Sequence, residues 1–208
     1  MTEDGTGAPL ADYELCLIVP KQDPPRCTKS GADGSYTLYV PPSSQIAVSY
    51  RKDDYFPEIG MSVTETTDQE VNFGGLPSAR GPLLASLVGA TLDAARGQVV
   101  FSVFGPGAFV PNGGPGGLPG VTAALSPPSG SKPFYEDAAG VPDKSLTSTS
   151  TETSGGFLNV EPGSYTAIFT PPAGKSCRYF AGWPSPTPGA VTFLVQAGTI
   201  THVSVACE

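Results

Sequence analysis

The sequence has 208 residues, with 26 Gly, 23 Pro and a formal net charge of −8 at pH 7. The negative charge argues against nucleic acid as a partner, because phosphate backbones are bound by clustered Lys and Arg, and equally against docking on an anionic membrane surface. No run of about 20 apolar residues is present, so we expect no transmembrane segment.

Glycine and proline separate short runs of Val, Phe, Tyr, Thr and Leu at intervals of roughly 8–12 residues, a spacing typical of all-β sandwiches and barrels. A hydrophobic content of 39% is enough for small cores, so disorder along the whole length is not expected. A chain of this length can form one or two domains. We therefore predict an all-β protein.

Residues 1–77 are predicted to form a first β-sandwich. Alternate residues of the stretch 13–19 share one face at a period of two, namely Tyr13, Leu15, Leu17 and Val19. An Asp33-Gly34 turn of the hairpin type precedes a predicted strand at 36–40, which ends at two prolines. Further strands are predicted at 46–50, 59–64 and 70–73.

Residues 78–97 are predicted to form a short helical linker. Gly81-Pro82 is a suitable start, since proline is favoured at the first helical position. Four apolar residues follow at helical spacing: Leu83, Leu84, Leu87 and Val88. We interpret this segment as a packed link between two β domains, and a helix that binds a partner is the alternative.

Residues 98–208 are predicted to form a second β-sandwich with long loop insertions. It opens on an alternating apolar strand at 99–103, and a Gly/Pro-rich loop follows at 105–120. A polar insertion occupies 127–153. The hairpin at 155–169 then repeats a pattern of the first half, so we expect the two halves to be unequal copies of one fold.

The four cysteines allow three pairings. Each half contains two of them, which favours Cys16–Cys27 and Cys177–Cys207. Buried free thiols are the alternative, and a zinc site is disfavoured because it needs pairs of cysteines two to four residues apart. Disulfides would indicate an oxidising compartment. The first residues carry no basic segment followed by an apolar one. We therefore expect a mature chain that is secreted, lipid-anchored at the cell surface or periplasmic, and a cytosolic start that would look the same is the alternative.

A recurring motif links the two halves to a known family. In the first half, Gly7-x-Pro9-Leu10-Ala11 is followed by Asp33-Gly34-x-Tyr36-x-Leu38-x-Val40-Pro41-Pro42. In the second, Leu118-Pro119-Gly120-Val121 is followed by Gly156-Phe157-x-x-Val160-x-Pro162-Gly163-x-Tyr165. This pattern resembles the carboxypeptidase regulatory-like domain.

The resemblance implies two tandem immunoglobulin-like or transthyretin-like (prealbumin-like) antiparallel β-sandwiches, as in secreted or lipid-anchored bacterial surface proteins. It implies no particular activity, because one fold can serve many functions. The first half departs from the family pattern, since the usual opening strand is missing from it.

Catalytic chemistry is poorly represented in the sequence. His202 is the single histidine, and it lies beside Ser204 on the polar face of the last predicted strand. Neighbours on one strand face do not make a nucleophile and a base. We interpret His202 as a surface histidine and predict neither an enzyme nor a cofactor.

Two groups of residues are candidate binding sites. Aromatic side chains in the second half are suited to sugar or peptide contacts: Tyr179, Phe180, Trp183 and Tyr135. The alternative for Trp183 is that it caps the sandwich core. Three carboxylates of the insertion are weak calcium candidates, with a solvated acidic loop as the alternative: Glu136, Asp137 and Asp143.

We predict a non-enzymatic extracellular or cell-surface binding or adhesion module that presents loops on two β-sandwiches. Its partner would be a carbohydrate, a protein or a peptide. One alternative is a structural spacer or self-assembling surface subunit that pairs through its edge strands. A further alternative is a cryptic enzyme or calcium-binding protein that uses the acidic insertion.

Overall fold

The computed structural model describes residues 1–4, 6–105 and 117–208, so most of the predicted 105–120 loop lies outside the described residues. In the first half, the elements are β1 (Thr2–Glu3), β2 (Glu14–Val19), β3 (Arg26–Lys29), β4 (Gln45–Arg51), β5 (Glu58–Val63), β6 (Gly74–Gly75) and α1 (Arg80–Leu87). The second half contains β7 (Gly97–Phe104), β8 (Thr122–Ser126), β9 (Phe134–Glu136), β10 (Pro142–Asp143), β11 (Ser154–Val160), β12 (Gly163–Thr170), β13 (Cys177–Ala181), β14 (Trp183–Pro184), β15 (Ala190–Val195) and β16 (Ile200–Cys207).

Most strands join one long sheet that runs through both halves of the chain. Its order is β10-β9-β11-β7-β16-β5-β4-β2-β3, and β13 also pairs with β16. β16 lies parallel to β7 from Ile200 to Ala206, and its first two residues also pair in parallel with β5. A short sheet has the order β14-β15-β12-β8, and β1 pairs with β6 separately. The prediction of an all-β protein is confirmed.

The division at residues 78–97 stays a prediction, and the long sheet continues across it. The predicted helix is present as α1 within that segment. It ends before Gly89, whose φ of 74° lies in the left-handed region that favours glycine. Within the described residues, α1 falls far short of the length and apolar character needed to cross a membrane.

The larger core lies between the long sheet and the short sheet. Val99, Phe101 and Val103 point into it from β7, in the alternation that the sequence predicted. Phe101 contacts Phe169 of the short sheet edge to face, with ring centroids 5.3 Å apart. Residues of the first half, including Ile59, belong to the same core, so the two halves share buried surface.

The smaller core of the first half has only one face made of sheet. Tyr13, directly before β2, and Leu15 and Leu17 of β2 point into it, as predicted. Val19 instead packs against the larger core, because the register of β2 shifts after Leu17. Its other face is formed by side chains of segments that have no strand partner, namely Tyr36, Leu38, Val40 and Phe73.

The predictions of strands at 36–40 and 70–73 are therefore wrong. The side chains of Tyr36, Leu38, Val40 and Phe73 are partly buried, whereas those of Tyr39 and Val71 are exposed. The backbones of these two segments, however, do not form strands, and β1 reaches 70–73 only through the hydrogen bond from the Thr2 amide to the Phe73 carbonyl. The strand at 59–64 corresponds to β5, which begins one residue earlier at Glu58.

One disulfide in each half joins two neighbouring strands. Cys16 is bonded to Cys27 across β2 and β3, and Cys177 is bonded to Cys207 across β13 and β16. This is the pairing that the distribution of cysteines favoured. Each bond holds an outer or terminal strand against its neighbour.

The strands at the ends of the two sheets are poorly suited to pairing with another chain. At the open side of β8, the Ala123 amide donates to the Tyr135 hydroxyl, and the Val121 amide donates to the Thr149 hydroxyl. β14 and β10 have two residues each and contain proline, while β3 carries Arg and Lys. Such features block pairing of sheet edges.

Candidate functional site

Trp183 and Tyr179, predicted as binding residues, help to hold the two halves together. Both side chains are partly buried against the larger core. The indole N–H of Trp183 donates to the Ile46 carbonyl of β4 at 3.0 Å, which joins the second half to the first. This position agrees with the alternative that Trp183 caps the core, and a binding role for Trp183 stays a prediction.

The other two aromatic candidates lie in different surroundings. Tyr135 is buried, and its hydroxyl accepts a hydrogen bond from the Ala123 amide at 2.9 Å. Phe180 is exposed and contacts Phe104 edge to face, with ring centroids 5.1 Å apart. The structure thus does not bring the four predicted aromatic residues together on one surface.

The three carboxylates of the acidic insertion have different roles. One Asp137 oxygen accepts the amides of Ala139 and Val141, and Asp143 accepts the amide of Ser145, so both aspartates stabilise turns. Within residues 1–4, 6–105 and 117–208, no group of three or more His, Cys, Asp or Glu side chains is placed to hold a metal ion. Glu136 is the exception among the three carboxylates, because it lines a cavity.

An apolar cavity of about 80 Å³, here called the α1 cavity, lies between α1 and the outer face of the long sheet. The helix contributes Gly81, Leu84 and Ala85, and Val88 follows directly after its last residue. The sheet contributes Phe134, Val100, Leu158 and Ile200 from four neighbouring strands. Phe56 and Leu76 of the first half also line it, so residues from both halves form the site.

Local sequence explains why α1 lies close to the sheet and how the cavity is bounded. Gly81 is buried against Phe56, and a Cβ at this glycine would lie 2.3 Å from the Phe56 ring. A larger residue would therefore force the Phe56 ring or the helix to shift. At the other end, Val88 and Leu92 extend the apolar lining beyond the last helical residue.

Three exposed apolar side chains lie on or beside α1. Leu83 is 67% exposed and Leu87 is 48% exposed, and their spacing of four places them on one face of the helix. Val141, which is 41% exposed, precedes β10, and β10 packs beside α1. These three residues form what we call the apolar rim. A helix that is apolar on its solvent face as well as its buried face is typical of an interaction surface.

Glu136 and Phe134 lie on the outer side of β9, with the buried Tyr135 between them. Burial of the Glu136 carboxyl raises its pKa to about 7, and the negative charges of Glu152 and Asp137 act in the same direction. A side-chain hydrogen bond with Ser154 offsets only part of this effect. A carboxyl group perturbed in this way beside a cavity is typical of a functional site.

His202, which we expected to be a surface histidine, is partly exposed and has an acidic partner. Its Nε2 lies 2.7 Å from Oε2 of Glu58, which is 2% exposed, and the other Glu58 oxygen accepts the Leu76 amide at 3.0 Å. Burial lowers the pKa of His202, but the hydrogen bond and charge of Glu58 outweigh it, with a contribution from Asp4, and raise the pKa. This pair links β5 to β16 and thus the first half to the second.

A larger hollow of about 780 Å³ lies on the first half. Side chains of both signs line it, including Asp12, Lys29, Arg51 and Asp54. Because the charges are mixed and the hollow is wide, it does not favour one class of ligand. The α1 cavity is therefore the better candidate.

The sequence contained a signal for this site that its interpretation as a packed linker did not use. Packing against the sheet requires apolar residues only at Leu84, Ala85 and Val88. Leu83 and Leu87 are apolar as well, although packing does not require it. The position of Glu136 beside α1 had no local signal, because the two are more than forty residues apart in the chain.

No protein-family model matches the chain, and no curated protein matches it. The TIE protein of Bacillus anthracis is similar over 100% of this chain and 32% of its own length, with 11% identity and a TM-score of 0.32. The minor pilin of Streptococcus agalactiae is similar over 97% of this chain and 84% of its own, with the same identity and TM-score. The chain thus spans about a third of the TIE protein, and neither similarity supports a conclusion about function.

Proposed function

We propose that this chain is a non-enzymatic binding module of the extracellular space or the cell surface, and that the α1 cavity with its apolar rim is its ligand-binding site. The observation that carries the proposal is an apolar cavity bordered by exposed leucines on a helix that is already packed on the sheet. Two disulfides support an oxidising compartment.

The cavity has the size of a side-chain pocket. A volume of about 80 Å³ corresponds to two or three water molecules at roughly 30 Å³ each, so a short aliphatic group would fill it. The rim offers additional apolar surface. Covering Leu83 and Leu87 would contribute about 1–2 kcal/mol each, at about 25 cal/mol per Å² of apolar surface removed from water.

The scaffold around the site is well suited to binding without rearrangement. The long sheet, the Trp183 hydrogen bond and the Glu58–His202 pair join the halves that form the cavity. A site supported in this way loses little conformational freedom when a ligand binds. We further propose that the module is carboxypeptidase regulatory-like, which rests on the hairpin motif of the sequence.

A role as a spacer or self-assembling subunit remains the second proposal. It requires strand pairing at a sheet edge, and the hydrogen bonds to Tyr135 and Thr149 occupy the open side of β8. The apolar rim, by contrast, is exposed at Leu83, Leu87 and Val141. Binding through α1 is therefore the function that the geometry supports best.

The proposed function can be tested with a random peptide library that is panned against the disulfide-intact protein. Binding of the selected peptides would be measured by isothermal titration calorimetry. Ala85→Leu adds bulk inside the cavity, and Ala173→Leu is its control in an exposed loop. We expect Ala85→Leu to weaken binding at least tenfold, about 1.4 kcal/mol, and Ala173→Leu to leave it unchanged.

A second pair of variants does not depend on repacking of the cavity. Leu87→Gln changes the exposed rim and should also weaken binding, whereas Tyr39→Gln changes an exposed aromatic residue of the first half and should not. The proposal is refuted if the wild-type protein selects no peptide. It is equally refuted if Ala85→Leu and Leu87→Gln both bind the selected peptides as tightly as the wild type.

A further inference from the structure

Among the described residues that line the α1 cavity, Glu136 alone carries a charge. It lies on the outer face of β9, where its carboxyl group is partly buried beside apolar side chains. The charges that act on its carboxyl group are those of Glu152 and Asp137, which are negative as well. The cavity therefore combines apolar walls with an excess of negative charge at one side.

Within the described part of the chain, no basic side chain forms an ion pair with Glu136. Other glutamates do have such partners. Glu58 is paired with His202 at 2.7 Å, and Glu161 is paired with Arg96 at 2.6 Å. Glu136 is thus a partly desolvated carboxylate whose cationic partner is not supplied by the described chain, and a bound cation would relieve the cost of its burial.

We propose that the α1 cavity binds a peptide segment in which a Lys or Arg lies next to a branched aliphatic residue, such that the aliphatic side chain fills the cavity and the cationic group pairs with Glu136. This inference rests on the proposed function and names its ligand. The two requirements come from separate observations, namely the volume and lining of the cavity and the unpaired carboxylate at its wall.

The ligand is a peptide and not a small amine, because the apolar rim extends beyond the cavity. Leu83, Leu87 and Val141 remain exposed when the cavity alone is filled. Only a chain longer than one side chain can cover them as well. The net charge of −8 also favours approach of a basic segment, since long-range attraction increases the association rate of oppositely charged partners.

The test uses a peptide set in which a central leucine is flanked by Lys, or by Gln at the same positions, with both ends blocked. Dissociation constants would be measured for the full chain, for Glu136→Gln and for the control Glu65→Gln, which removes an exposed charge elsewhere. We expect the wild type to prefer Lys peptides over Gln peptides about tenfold. Glu136→Gln should abolish this preference, and Glu65→Gln should keep it.

Two further readouts separate this inference from the proposed function. Lowering the pH from 8 to 5 should weaken the Lys peptides selectively, because Glu136 becomes protonated. If Lys and Gln peptides bind equally well but Ala85→Leu weakens both, the inference fails and the proposed function stands. If butylammonium competes as effectively as the Lys peptides, the assignment of a peptide ligand is wrong. If neither peptide series binds the wild type, the inference fails as well.

Discussion

Replacing Glu136 by Gln should stabilise the protein at pH 8 and change little at pH 4. Burial raises the pKa of Glu136 from 4.5 to about 7. A carboxyl group whose pKa is raised on folding does not reduce stability while it is protonated in both the folded and the unfolded state. Stability is therefore lost as the pH rises from about 4.5 through about 7.

The size of this effect follows from the pKa difference. At about 1.4 kcal/mol per pKa unit, it corresponds to about 3 kcal/mol when the carboxyl is ionised. Because Glu136 is only partly buried, solvent screening reduces this figure, and we expect about 1–2 kcal/mol. Gln has nearly the same shape as the protonated acid, so the substitution removes the charge without opening the cavity.

Urea unfolding at both pH values measures the prediction, because the free energy of unfolding follows from the midpoint and the slope. Glu65→Gln serves as the control, since it removes an equal charge at an exposed site and should have little effect at either pH. An equal change at pH 4 and pH 8 for Glu136→Gln would refute the argument that burial of the charge reduces stability.

Three other predictions concern the contacts that join strands and halves. His202→Gln should destabilise the protein more at pH 5.5 than at pH 9. A histidine whose pKa is raised on folding contributes stability that is fully present at low pH and is lost as the pH rises through the folded-state pKa. Equal losses of unfolding free energy in urea at the two pH values would contradict this prediction. Trp183→Phe removes one indole hydrogen bond and should lower the free energy of unfolding by about 1 kcal/mol, and an unchanged value would show that the bond is dispensable. Replacing both cysteines of Cys177–Cys207 should reduce stability by about 4 kcal/mol and those of Cys16–Cys27 by about 3 kcal/mol, because the first pair closes the longer loop; the reverse order would contradict the loop-entropy argument.

The raised pKa of Glu136 and the exposure of the apolar rim have the same explanation if both features serve ligand binding. Exposed leucines on α1 and a partly buried, unpaired carboxylate both reduce the stability or solubility of the isolated chain. Proteins retain such features where binding needs them. If the proposed ligand covers both, it should also stabilise the folded protein in proportion to its concentration.

Alternation along single strands was readable from the sequence. The inward residues of β7, the inward face of β2 up to Leu17 and the apolar residues of 36–40 were all identified correctly. The disulfide pairing followed from the presence of two cysteines in each half. These features depend on neighbours within one segment, so local periodicity and spacing are sufficient to predict them.

Only the tertiary structure decided which segments meet. The side of β16 that carries His202 could be predicted, but its partner Glu58 lies 144 residues earlier. Strand pairing was likewise undecided for 36–40, which has inward-facing apolar residues and no partner strand. The candidate site shows the same limit, since Glu136 and α1 come together through the order of strands in the long sheet. Local sequence determines which face a residue occupies, whereas pairing and packing between distant segments determine what that face contacts.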